Sequence, residues 1–538
     1  VSRIFAVAAA GACENLGSHA SGASLIAMSP ATTTPSRTRA WPAPAAAIAL
    51  AFIVRLPSVL GAGFPLGDGG MFAAIIDDVR AAHGALPAFT SFNGGGIPLC
   101  YPPLGFYLAV LSGLPTLAAL RWLPLVFSAL VPGAVVLLGR QILRSEPAAL
   151  WAGLVAVLLP IPTWYGIEGG GLTRSLGLLG LVLALAAVVW MVGAPTPRRA
   201  ALAGLAVGLT VLSHPEAALL VTVLAPITLI ISGWGRPILR PALVAGVVAV
   251  AVVSPWLALV LARHGLAPWL AAFGTADGAA GLATAAQRVV GMVRWSTAEP
   301  GLPVFGILAL LGVPLAIMRG RGLPLMLAIV PTYLAARVYR YWSAPGLALL
   351  AGLAVGCLLW PAIAKVVHAP AGAAVVRATV GLLILAHGLL LAQHWERSVA
   401  YLQPLPAEDR EVLAWVAHQV APGERVAAIG EDAAGMDRLA EWAPYLAGAP
   451  NPIVPQGREW LGDAAATEAR AEILHRALLA GAEPLQAWLA AAPRVHWLVV
   501  GSESGQDPRV ARTLATFADA GSGRLVCQRG AATVWQVR

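Results

Sequence analysis

The chain has 538 residues, 58% of them hydrophobic and only 11% charged, with a formal net charge of +9 and a mean hydropathy of +0.76. Soluble domains carry about 25% charged residues, and no soluble core hides this much apolar sequence, so a polytopic membrane protein is predicted. The positive charge comes from arginines in short loops between apolar runs, with Lys365 the only lysine, and it is not a signature of nucleic-acid binding.

Residues 1–40 are small, polar and rich in Ser, Thr and Ala. They lack the long apolar core of a signal peptide and are expected to be disordered. Val1 reads as a literally translated GTG start, with Met28 as an alternative. The four cysteines, Cys13, Cys100, Cys357 and Cys527, show no metal-ligand spacing.

Apolar segments of spanning character fall near 43–60, 102–118, 122–139, 148–165, 175–193, 200–213, 217–233, 241–262, 302–318, 322–336, 343–363 and 376–393. The loops bearing Arg140/Arg144, Arg198/Arg199, Arg236/Arg240, Arg319/Arg321 and Lys365 are predicted to be cytoplasmic. Loop 61–101 and the loops at 166–174, 214–216, 263–300 and 337–342 are then external. Arg37 and Arg39 hold the N-terminus inside, so an external C-terminus requires an odd number of crossings. Eleven or thirteen are expected. Either one of the pair 102–118 and 122–139 is not a full span, or a span is missing from the twelve. Residues 271–293 are moderately amphipathic and suited to the membrane surface.

The apolar runs stop near residue 395. Residues 398–538 have ordinary globular composition. A helix from 406, strands at 425–429 and 495–500, helices at 466–480 and 508–519, and strands at 524–528 and 532–537 predict a small α/β domain. No Gly-rich phosphate loop follows any of these strands, and no catalysis is assigned there.

Polar residues cluster where the apolar runs end. Asp68 lies in Gly67-Asp68-Gly69-Gly70, just before a helical pattern that carries Asp77 and Asp78. Its carboxylate suits a helix N-cap and equally a group that takes a proton from, or orients, an acceptor. Tyr101-Pro102-Pro103 stiffens the chain where it returns to apolar sequence. The prolines suit a helix start, and Tyr101 is a candidate to line a site. Glu168 precedes three glycines and then Thr173-Arg174. The glycines permit close approach of backbone to a ligand, or simply a turn with an interfacial ion pair. Ser213-His214-Pro215-Glu216 opens another helix, where an acid complements the dipole or forms a site wall. Arg337 and Arg340, among aromatic residues, fit either an interfacial belt or the phosphate of a lipid.

This pattern resembles the GT-C superfamily of membrane-embedded glycosyltransferases, which includes protein O-mannosyltransferases, aminoarabinose transferases and oligosaccharyltransferases. The resemblance rests on the acid-bearing first external loop, the Tyr101-Pro102-Pro103-Leu104 return, the many spans and the external C-terminal domain. Glu168–Arg174, Leu212–Glu216, Glu441-Trp442 and Gln456–Trp460 also resemble a bacterial branch of membrane proteins labelled 6-pyruvoyl-tetrahydropterin-synthase-related. The resemblance implies a polytopic all-α membrane domain over 41–397 with a catalytic loop at 61–101, and an extracytoplasmic α/β domain over 398–538, in a bacterial plasma membrane. It implies a polyprenyl-phosphate-linked sugar donor, a glycan, lipid or protein acceptor, and Asp68 as base or acceptor-orienting group. Asp77, Asp78, Tyr101, Glu168, Arg174, His214, Glu216, Arg337 and Arg340 are the expected substrate-binding residues. The family often has an acid pair where this chain has Gly67-Asp68-Gly69, so no cofactor is assigned and a divalent metal stays open. The rival expectation is a non-enzymatic transporter, flippase or envelope scaffold.

Overall fold

The structure is a computed structural model that describes residues 42–233, 235–274, 299, 301–335, 339–398, 403–430, 437–492 and 494–538. The segment expected to be disordered, 1–40, and most of the amphipathic stretch 271–293 lie outside these residues.

Helix α1 (Pro42–Ala62) is followed by a polar excursion. This contains α2 (Gly70–Ala81), a two-residue ladder of β1 (Phe89–Thr90) with β2 (Ile97–Pro98), and the short α3 (Leu104–Leu111). Next come α4 (Thr116–Leu143), α5 (Glu146–Leu158), α6 (Pro160–Ile167), α7 (Gly171–Gly193), α8 (Pro197–Val211), α9 (Pro215–Gly233) and α10 (Arg236–His264). The membrane part ends with α11 (Ala267–Gly274), α12 (Val304–Met318), α13 (Gly322–Leu334), α14 (Tyr339–Val366) and α15 (Pro370–Ser398). Seven of these, α1, α4, α7, α9, α10, α14 and α15, are long and apolar enough to cross a bilayer, and α5 with α6 makes an eighth if the bent pair is one span. The protein is a multi-pass membrane protein.

All twelve predicted segments fall on helices, but they are not equivalent. Segment 102–118 is interrupted after Leu111, where Gly113 adopts a φ of +69° and Pro115 follows. The eight-residue α3 rises about 12 Å, far short of the roughly 30 Å hydrocarbon core. Of that pair only the second segment lies on a helix long enough to cross. The segment predicted at 148–165 is bent by 56°. Pro160 pushes the residue before it out of the helical region, and Leu159 accordingly sits at φ −64°, ψ 122°. The remaining segments include helices of 13 and 15 residues, α13, α8 and α12.

Close approach of helix backbones holds the bundle together, because lipid tails supply no hydrophobic drive between helices. Gly312 faces the Leu350 carbonyl, Gly346 faces the backbone of Ala328, and Gly352 faces Ala148 and Ala152, with no room for a Cβ at any of them. One end of the bundle is basic: Arg321 lies close enough to Arg144 and Arg319 for their charges to disfavour its own.

At the other end sits the C-terminal domain. Helix α16 (Ala407–Ala417) leads into β3 (Val426–Ile429), α17 (Arg438–Leu446), α18 (Ala464–Ala480), α19 (Ala482–Ala491), β4 (Trp497–Val500), α20 (Pro508–Asp519), β5 (Gly523–Arg529) and β6 (Ala532–Val537). The sheet order is β3-β4-β6-β5, with β3 parallel to β4 and the other pairs antiparallel. Every residue of β3 and β4 is buried, which is why they read as continuous apolar runs. A single apolar cluster joins this domain to the membrane part. It takes Phe64, Met71, Phe72 and Phe106 on one side and Val412, Trp442 and Trp460 on the other.

Candidate active site

The stretch from Phe64 to Gly70 is held from three directions. The Gly169 N–H donates to the Leu66 carbonyl at 2.9 Å, and the Gly67 N–H donates to the Gln403 carbonyl at 3.2 Å. From the C-terminal domain, the Trp442 indole N–H donates to the Gly67 carbonyl at 2.9 Å and its ring packs edge-on against Phe64. Gly69 has a φ of +149°, and a Cβ there would lie 3.0 Å from the Trp442 ring, so glycine is required by conformation and by space.

Asp68 is not the N-cap of α2. Gly69 holds that position and has no side chain with which to cap the helix. The Asp68 carboxylate instead accepts the Gly170 N–H at 2.9 Å and faces the Arg174 guanidinium at 3.2 and 3.3 Å. Arg174 also donates to Glu168 at 2.9 Å. Side-chain exposure is 31% for Asp68, 13% for Arg174 and 4% for Glu168. Burial pushes the Glu168 carboxyl up to about 8, with Arg174 opposing the shift and the charge of Asp68 adding to it. Its second oxygen, Oε1, is buried with no hydrogen-bond partner.

The glycines after Glu168 are there for interlocking loops. A Cβ on Gly169 would overlap the Asp68 carbonyl, and one on Gly170 would lie 2.5 Å from the Arg174 guanidinium and 2.6 Å from the Asp68 carboxylate. They bring loop to loop, so the Asp68–Arg174 pair can form.

A third acid comes from the C-terminal domain. Glu441, in α17, accepts the Gly69 N–H at 2.9 Å. Burial raises its carboxyl well above the usual range, and the nearby charge of Asp68 acts in the same direction. Sequence reading gave this domain no part in the chemistry. The only signal was the Glu441-Trp442 pair, noted as a point of resemblance.

Tyr101, His214 and Glu216 form the adjoining wall. The Tyr101 hydroxyl shares a 3.3 Å hydrogen bond with Thr173, one residue before Arg174. Its ring packs against Phe72, Phe106, His214 and Trp460. His214 Nδ1 accepts the Glu216 N–H at 3.2 Å, and Glu216 accepts the Trp342 indole N–H at 2.6 Å. Arg340 stands in the first turn of α14, its guanidinium 5.6 Å from the Tyr339 ring centroid. The residues after it, Tyr341 and Trp342, reach Ser175 and Glu216. Arg337 lies outside the described residues.

Asp77 and Asp78 serve different contacts. Asp77 accepts hydrogen bonds from Arg80, Thr116 and Tyr445, tying α2 to α4 and to the C-terminal domain. Asp78 accepts from the Thr90 hydroxyl and the Ser91 N–H. The structure brings Asp68, Tyr101, Glu168, Arg174, His214 and Glu216 into one connected set, while the bonds of Asp77 and Asp78 go to the surrounding scaffold.

Solved structures resemble the chain over nearly its whole length. The oligosaccharyltransferase of Archaeoglobus fulgidus, in complex with Zn and sulfate, matches with a TM-score of 0.59 at 14% identity, over 90% of this chain and 71% of that one. ArnT from Cupriavidus metallidurans, bound to undecaprenyl phosphate, matches with a TM-score of 0.52 at 16% identity, over 91% and 97%. Arabinofuranosyltransferase AftD from Mycobacteria matches with a TM-score of 0.52 at 18% identity, over 92% and 41%. The chain has the GT-C fold. No family model and no curated protein matches it.

Among the described residues, no group of three or more His, Cys, Asp or Glu side chains is disposed to hold a metal ion. Asp68 and Glu168 share the Arg174 guanidinium, and Glu441 is turned to the Gly69 N–H.

Proposed function

We propose that this protein is a glycosyltransferase of the bacterial plasma membrane. It transfers a sugar from a polyprenyl-phosphate-linked donor to a glycan, lipid or protein acceptor on the face that bears the C-terminal domain. The GT-C fold shared with three membrane glycosyltransferases supports the reaction class. The observation that carries the site is Asp68, one-third exposed and fixed by Gly170 and Arg174, where the membrane helices meet the C-terminal domain. The basic cluster of Arg144, Arg319 and Arg321 at the opposite end supports an external position for this face. A transporter would hold its substrate near the bilayer midplane, whereas these polar groups gather at one end.

A carboxylate has about four lone-pair positions. Those of Asp68 not used by Gly170 and Arg174 are free to accept from an acceptor hydroxyl or amine and aim it. The nucleophile attacks the anomeric carbon, the bond from that carbon to the lipid phosphate oxygen breaks, and the phosphate leaves with the electron pair. The acceptor proton passes to water or to the departing phosphate. Direct displacement inverts the anomeric centre. Arg337 or Arg340 would stabilise the phosphate charge, worth about 3 kcal/mol per well-placed donor.

The test is transfer of labelled sugar from a polyprenyl-phosphate donor by purified protein. Asp68→Asn is expected to lower the rate about 100-fold or more. Turnover at the wild-type rate in that variant would remove Asp68 from the mechanism.

A further inference from the structure

Asp68, Glu168 and Glu441 come from three parts of the chain, and Arg174 stands among them. Its guanidinium lies 3.2 Å from Asp68 and 2.9 Å from Glu168, and its charge acts on Glu441. Converging oxygens of this kind elsewhere collect a hard divalent cation at about 2.0–2.6 Å. Here the cation is covalently tethered. Arg174 is in the first turn of α7, 13% exposed, with its guanidinium 5.4 Å from the Tyr165 ring centroid. The space beside it is kept by a glycine, since a Cβ on Gly170 would meet both Arg174 and Asp68. A divalent ion entering between Asp68 and Glu168 would have to expel the guanidinium from both carboxyl groups and sit beside its charge. A GT-C relative has been solved with Zn, so the fold is compatible with a metal.

We propose that Arg174 is the resident cation of this acid cluster and that the site works without a divalent metal. The first half stands on the cluster alone, and the second half rests on the transferase reading.

The test uses the full chain in detergent. Mn2+ is titrated by calorimetry at a pH near the Glu168 value of about 8, and sugar transfer is measured with and without a chelator. The wild type is expected to take up no saturable Mn2+ and to lose no activity to the chelator. Arg174→Ala is expected to gain a saturable Mn2+ site that Asp68→Asn abolishes again, while Arg174→Lys, still cationic, gains none. Saturable Mn2+ binding by the wild type that Asp68→Asn removes would overturn the proposal. So would transfer that stops with chelator and returns with Mn2+, or a folded Arg174→Ala protein that takes up no Mn2+. Should Arg174→Ala not sustain the fold, the wild-type titration decides. If no sugar is transferred under any condition, the transferase reading fails while the Mn2+ titration still reports on Arg174.

Discussion

Glu441 accepts the backbone N–H of Gly69 at 2.9 Å, across 372 residues of sequence. The loop bearing Asp68 is therefore shaped in part by a side chain of the C-terminal domain, and the site is complete only when that domain is docked.

Burial raises the Glu441 carboxyl well above its usual range, and glutamine keeps its shape and an oxygen that accepts the Gly69 N–H. Glu441→Gln is expected to keep transfer near the wild-type rate. Glu441→Ala leaves buried N–H groups of the Gly69–Gly70 turn without their acceptor, at about 1–3 kcal/mol each. Both the transfer rate and the thermal unfolding midpoint should fall. Equal behaviour of the two variants would deny this hydrogen bond its role.

Gly170 has an ordinary helical φ of −64°, so alanine is tolerated by the backbone. The added Cβ would crowd the Arg174 and Asp68 side chains and part the ion pair. Gly170→Ala should lower transfer about tenfold, equivalent to about 1.4 kcal/mol, while the unfolding midpoint moves little. A large loss of stability with unchanged specific activity would contradict this account.

Glu168 gives a pH dependence whose sign follows from its raised value. In the folded protein it stays protonated up to about 8, while in the unfolded chain it ionises near 4.5. Over that window the folded state binds the extra proton, so stability falls as pH rises, then levels off above the folded value. Glu168→Gln cannot titrate. Thermal unfolding midpoints across pH 4 to 9 should show a shallower decline in this variant than in the wild type. Parallel curves would refute it.

Asp77 accepts from Arg80, Thr116 and Tyr445 and so joins α2 to two neighbouring elements. It is partly exposed, which screens the ion pair. Asp77→Ala is expected to cost about 1–2 kcal/mol of stability, read as a lower unfolding midpoint, with transfer per folded molecule close to wild type. Loss of transfer without loss of stability would place Asp77 in the chemistry after all.

The sequence by itself determined the membrane class and the apolar helices, because apolar runs and their interruptions are local properties that the bilayer makes obligatory. The strands of the C-terminal domain were legible for the same local reason, in continuous apolar runs such as Trp497–Val500, while helices α17 and α19 were not read from the sequence. Local pattern also pointed to Asp68, Glu168, Arg174, His214 and Glu216, since polar groups at the ends of apolar runs are conspicuous. Only the tertiary structure decided what each of them does. Whether Asp68 caps a helix or meets Arg174 depends on a loop a hundred residues away. Whether Asp77 or Glu441 stands beside it depends on how a separate domain docks. Those outcomes are set by packing between distant segments, a property no window of sequence contains.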